Sequence, residues 1–131
     1  MQTFTCYDIQ SLVGATNATP SIEAGMHVQL QVPGLNHDVM ATPFFAEADV
    51  YDLTFHRVDH PQGGIVKTYM DGVLINTWDG YDAVGGTAHT ITVPNITLTT
   101  GEHLITFEVD GKNGASGGYL AIHGWWSLVS H

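Results

Sequence analysis

The chain is poor in bases, in cysteine and in helical periodicity. Only Arg57, Lys67 and Lys112 are basic, against 13 acids, and the formal net charge is −10. A surface so charged repels phosphate backbones and anionic headgroups, which argues against nucleic acid and against a membrane surface as partners. Cys6 is the single cysteine, so no intramolecular disulfide can form. Alone and without a neighbouring base, it reads as a small buried apolar residue. The opening residues, Met-Gln-Thr-Phe-Thr-Cys-Tyr-Asp, lack the charged and apolar regions of a signal peptide. No apolar run approaches the length of a membrane span. These absences lead us to expect a soluble chain without a leader.

Helix is missing as well. No segment sustains apolar residues at i, i+3, i+4 and i+7 over the length an ordinary helix needs. Nor does a catalytic constellation stand out. Ser116 lies in Gly114-Ala-Ser-Gly-Gly, which has the flanking glycines of a nucleophile elbow but no strand–turn–helix around it. The chain is therefore not expected to be an enzyme.

What is present is β patterning. Ile65–Met70 and Val73–Trp78 flank Asp71-Gly72, a pair suited to the two positive-φ positions of a type I′ hairpin turn. Met26–Val32, Ala48–Val58, Thr90–Leu98, His103–Val109 and Tyr119–Ser130 each place apolar residues at alternate positions. Pro94 interrupts one of these runs, which implies an edge strand or a bulge there. A looser edge strand falls within residues 2–13. Residues 14–21 and 33–47 read as loops, the second long and carrying Pro33, Pro43 and Phe44-Phe45. With 131 residues and 44% hydrophobic content, the chain can bury a core of its own. The expected architecture is all-β: one domain over residues 1–131, a two-sheet antiparallel β-sandwich or jelly roll of about eight strands.

The order of motifs in the second half adds a resemblance. Val66-Lys67-Thr68-Tyr69-Met70-Asp71-Gly72 is followed by Trp78-Asp79-Gly80-Tyr81, then Thr100-Gly101-Glu102-His103. Asp110-Gly111-Lys112-Asn113 and Ser116-Gly117-Gly118-Tyr119 come last. Over roughly residues 48–131 this resembles the galactose-binding-like jelly-roll superfamily, particularly golvesin-type domains and related carbohydrate-binding modules. The resemblance implies a β-sandwich without catalysis, of a kind found in glycan-active enzymes and in phage virion proteins.

The residues offer three kinds of site. The eight histidines suggest metal, but His56 and His60 span a strand end and a turn, a poor spacing for one ion. Asp79, Asp82 and Asp110 could offer oxygens to calcium, but no paired acids stand near the N-terminus. No metal or cofactor is expected. The aromatics Tyr7, Trp78, Tyr81, Tyr119, Trp125 and Trp126 could stack on sugar rings or pack in a core. Consecutive Trp125 and Trp126 on a strand must face opposite ways. The candidate glycan-binding residues are Trp78, Asp79, Tyr81, Tyr119 and Trp125.

Two functional expectations follow. The first is a virion accessory protein of a phage, a capsid decoration or tail-associated protein. It would act through contacts with itself or with other protein subunits, because its aromatic residues exceed what one core would explain. The alternative is a carbohydrate-binding module, extracellular or at a cell surface, that recognises glycans through loop aromatics. Protonating all eight histidines would bring the charge from −10 to −2, so any assembly limited by repulsion should tighten on mild acidification.

Overall fold

The computed structural model describes residues 3–6, 18–23, 26–31, 36–37 and 39–130, with side chains described for 36–37, 39–124 and 126–130. Every element among them is a strand: β1 (Thr3–Cys6), β2 (Ala18–Glu23), β3 (Met26–Gln31), β4 (Val39–Ala46), β5 (Asp49–Asp59), β6 (Ile65–Met70), β7 (Val73–Asp79), β8 (Thr87–Leu98), β9 (Gly101–Val109) and β10 (Ala121–Ser130). They form two antiparallel sheets. One runs β2-β3-β10-β5-β8, with β1 also pairing β10; the other runs β4-β9-β6-β7. The expected all-β sandwich is the fold.

The central hairpin forms as its sequence dictates. Asp71 and Gly72 have φ of 51° and 82°, the paired positive values of a type I′ turn. Gly72 carries this at no steric cost. Pro94 sits in β8, an edge strand, and the β5–β8 register shifts between Tyr51 and Leu53, so edge and irregularity both occur.

Two segments read as loops are strands. Residues 18–21 belong to β2. Residues 39–46, with Pro43 and both phenylalanines, form β4. Proline lacks the donor a central strand needs, but β4 lies at a sheet edge and pairs only with β9. Phe44 turns inward, edge-on to Trp126 at 5.4 Å, while Phe45 faces solvent. Of the strand expected within residues 2–13, Thr3–Cys6 is described and pairs Trp126–Val129; residues 7–13 lie outside the described residues.

The core lies between the sheets. Tyr51, Leu53 and Phe55 of β5 meet Ile105, Phe107 and Val109 of β9, with Val66, Met70, Trp78, Trp126 and Leu128 completing it. Trp78 packs against Phe55 at 5.1 Å and edge-on to Phe107 at 6.0 Å. One core thus holds most of the aromatic surplus.

Candidate functional site

Strand alternation carries polar groups into one end of the sandwich. On β5 the inward positions run Tyr51, Leu53, Phe55 and then Arg57 and Asp59. The same end of β8 sets His89 opposite Arg57 and Thr87 opposite Asp59. Arg57 lies 5.5 Å over the Trp78 ring. Its Nε is 3.3 Å from Asp59 Oδ1, an ion pair without hydrogen-bond alignment. Asp59 Oδ2 is 2.9 Å from His89 Nε2. Burial pushes the Asp59 carboxyl above its ordinary pKa, and the charges of Arg57 and His89 pull it back. Burial also lowers the Arg57 guanidinium.

Above this polar end, the loops 60–64, 80–86 and 110–120 are pinned to one another. His60 N donates to the Gly80 carbonyl at 2.9 Å, and Gly80 N donates to that of Gly64 at 2.9 Å. Leu120 N reaches the Gln62 carbonyl at 2.8 Å, and Gly117 N reaches that of Pro61 at 3.0 Å. The buried Ser116 hydroxyl donates to the Gly63 carbonyl at 2.7 Å. The loops approach so closely that any side chain at Gly63 would run into the Gly80 carbonyl. This lattice of main-chain bonds fixes the rim without a large core beneath it.

The rim holds Asp79, Tyr81, Asp82, Lys112 and Asn113. Asp79 Oδ1 accepts from Tyr81 N at 3.0 Å, and Oδ2 accepts from Asn113 Nδ2 at 2.8 Å. Asn113 Oδ1 accepts from Ala115 N at 2.9 Å, which fixes the amide's orientation. Asp82 accepts from Val84 N and Gly85 N; these bonds and one from the Thr87 side chain hold its carboxyl below the ordinary value. Tyr81 is half-buried, and no other ring or cation among the described residues stacks on it.

The expected glycan-binding residues separate. Asp79 and Tyr81 meet at this rim. Trp78 does not: it is 5% exposed, packed among Phe55, Phe107 and His123, and cannot offer a face to a sugar. Tyr119 packs against the core, with the Lys112 ammonium 5.4 Å over its ring, so its faces are already engaged. The Trp125 side chain lies outside those described, and Trp126 is buried. Arg57, Asp59, His89, Lys112 and Asn113 were not singled out. Alternation along Ala48–Val58 already put residue 57 in line with Tyr51, Leu53 and Phe55, and the Gly-Lys-Asn-x-x-Ser loop already contained Lys112 and Asn113. His56 and His60 take separate partners, Thr90 Oγ1 and Gln62 N.

No protein-family model matches the chain, and no curated protein matches it in sequence. Solved structures match its fold. A Paenibacillus xanthan lyase superposes with a TM-score of 0.76 at 18% identity over 92% of this chain. This chain spans only 12% of the lyase. The CBM36-1 domain of a multidomain xylanase from the hindgut metagenome of Trinervitermes trinervoides matches end to end, with a TM-score of 0.71, 16% identity, and 99% and 98% of the two chains covered. A carbohydrate-binding module CBM36 in complex with calcium and xylotriose gives 0.69 at 17% identity over 98% and 100%.

The fold is that of carbohydrate-binding modules. This overturns the expectation of a phage virion accessory protein: these structures, which the chain covers end to end, are carbohydrate-binding modules and favour the alternative reading. The surplus of aromatics that suggested protein partners is absorbed by the core, where Phe44, Phe55, Trp78, Phe107 and Trp126 pack together. Self-association and virion location lose their support with it. One of the similar structures holds calcium. Here, among the described residues, no three His, Cys, Asp or Glu side chains gather as a group that could hold an ion.

Proposed function

We propose that this chain is a non-catalytic glycan-binding module that works outside the cell or at its surface. Its site is the loop end, with Tyr81 as the stacking ring and Asp79 and Asn113 as hydroxyl partners. One observation carries the reading: the Tyr81–Asp79–Asn113 unit is preassembled, its backbone and side-chain bonds made at 2.8–3.0 Å. An ordered rim spares a ligand the cost of immobilising loops. A half-buried aromatic ring with no other ring or cation stacked on it, beside fixed carboxylate and amide groups, suits a pyranose ring, which has apolar C–H faces and hydroxyl edges. The fold's likeness to a module solved with xylotriose supports a polysaccharide ligand.

The test is calorimetric titration against xylo-, manno-, galacto- and laminari-oligosaccharides. Tyr81→Ala should weaken binding of whichever ligand is taken up by about thirtyfold, or ~2 kcal/mol. Asp79→Ala should do so by a similar factor. Both variants should unfold within a few degrees of the parent. Undiminished binding by both would move the site elsewhere.

A further inference from the structure

Of the three bases in the chain, two are matched. Arg57 pairs with Asp59, and Lys67 is 2.6 Å from Asp110. Among the described residues, no carboxylate lies within ion-pair distance of Lys112. That is unexpected in a chain of charge −10, where acids are abundant everywhere else.

Lys112 is also placed rather than free. Its Nζ donates to the Ser116 carbonyl at 3.2 Å and lies 5.4 Å over the Tyr119 ring. Ser116 is itself locked by its buried hydroxyl to Gly63, and Tyr119 by the core. The ammonium is thus held at an exposed rim position next to Asn113, with donor capacity left over, since an ammonium has three N–H groups.

Charge is distributed to suit. At the loop end, Arg57, Lys67 and Lys112 stand against Asp59, Asp79, Asp82 and Asp110. The opposite end carries Glu47, Asp49, Asp52, Asp71 and Glu102 and no lysine or arginine. The loop end is therefore less anion-repelling than the opposite end of the sandwich.

We propose that Lys112 selects an anionic substituent on the glycan, the carboxylate of a uronic acid or a sulfate ester, while Tyr81 and Asp79–Asn113 hold the neighbouring sugar. This rests on the glycan-binding reading and narrows its ligand class. The ammonium would supply a charge-assisted hydrogen bond to the anion, and the Tyr119 ring beneath it would keep the side chain from collapsing onto Asp79.

The experiment compares polygalacturonate with its methyl-esterified form, which has the same backbone without the charge, and adds a sulfated galactan and a neutral xylan. The parent protein should bind the acid about tenfold more tightly than the ester, and the ratio should fall as salt rises from 20 to 300 mM, on the order of magnitude set by screening. In Lys112→Met the acid-to-ester ratio should fall to about one, and Lys112→Arg should restore it. If Lys112→Met loses stability, the salt dependence of the parent decides alone. A sulfated galactan retained and then released by Lys112→Met would identify sulfate as the anion. Equal affinity for acid and ester, together with no retention of the sulfated galactan, overturns the inference. If a neutral xylan still binds, the glycan reading survives that failure; if no glycan binds, both fall together.

Discussion

His103 and Asp71 form a doubly anchored pair at the end of the sandwich away from the loops. His103 Nδ1 is 2.6 Å from Asp71 Oδ2, and Nε2 is 2.7 Å from the Thr99 carbonyl. A carbonyl only accepts, and so does an ionised carboxylate, so both ring nitrogens must donate. These contacts favour the ring's imidazolium form. Its pKa is raised first by the Asp71 hydrogen bond, against the lowering effect of burial, with help from the Thr99 carbonyl and the Asp71 charge. Asp71 Oδ1 also accepts from Leu104 N at 2.8 Å, so one carboxylate ties the Asp71-Gly72 turn to β9.

This pair predicts an alkaline loss of stability. A histidine whose folded pKa lies above its unfolded value of ~6.5 stabilises fully below that value, and the contribution disappears as pH rises through the folded pKa. His103→Gln should cost about 2 kcal/mol at pH 6, the scale of a hydrogen bond to a charged group, and less at pH 9. Urea midpoints at the two pH values check this. A cost independent of pH would mean that the ring is neutral.

His123 predicts the opposite. It is 2% exposed, beside Phe107 at 4.8 Å and Trp78 at 5.8 Å, and burial pushes its pKa down to about 3. Its folded pKa lies below the unfolded one, so its contribution is whole above pH ~6.5 and lost as pH falls toward the folded value. Each pH unit in that window should remove up to ~1.4 kcal/mol. His123→Leu should flatten the acid limb of the stability profile between pH 6.5 and 4, whatever it does to stability at pH 8. An acid limb of unchanged slope would assign the loss to carboxylates instead.

These two histidines show what the sequence could not convey. Counted together, eight histidines suggested one collective charge change on acidification. In the fold, the partners of His103 favour its charged form, and burial favours the neutral form of His123. Their difference arises from residues 32 positions away and from the opposite sheet. The same contrast runs through the fold. The Asp71-Gly72 hairpin was legible because its turn chemistry is local. β4 was not, because only its place at an edge excuses Pro43. Trp78 and Tyr81 looked alike in sequence; strand direction buries the first and leaves the second at the rim. Asp79 was legible as a loop acid, but its partner Asn113 is joined to it only by the meeting of two loops.

Trp78→Ala should act on stability, not on binding alone. Removing this ring from among Phe55, Phe107 and His123 should cost about 3–5 kcal/mol. Thermal unfolding of Trp78→Ala beside Tyr81→Ala separates the two roles. A Trp78→Ala protein as stable as the parent but unable to bind would reinstate Trp78 as a ligand contact.

Ser116→Ala tests how the rim is held. It deletes the buried 2.7 Å bond to the Gly63 carbonyl and leaves that acceptor without its donor. The expected cost is about 1–3 kcal/mol, with faster amide hydrogen exchange in loops 60–64 and 110–120. Exchange raised uniformly across the sheets, and not in those loops, would show that Ser116 supports the whole fold rather than the rim.

The central claim is that the loop end binds glycan, and backbone amide shift mapping tests it most directly. The labelled protein is titrated with neutral and uronate oligosaccharides. The account predicts saturable shifts at Gly80–Asp82 and Lys112–Ala115, with Asp71, Thr99 and His103 unmoved. Saturable shifts centred on Asp71–Thr99 or on the outer sheet faces, or none at all with any oligosaccharide, would contradict it.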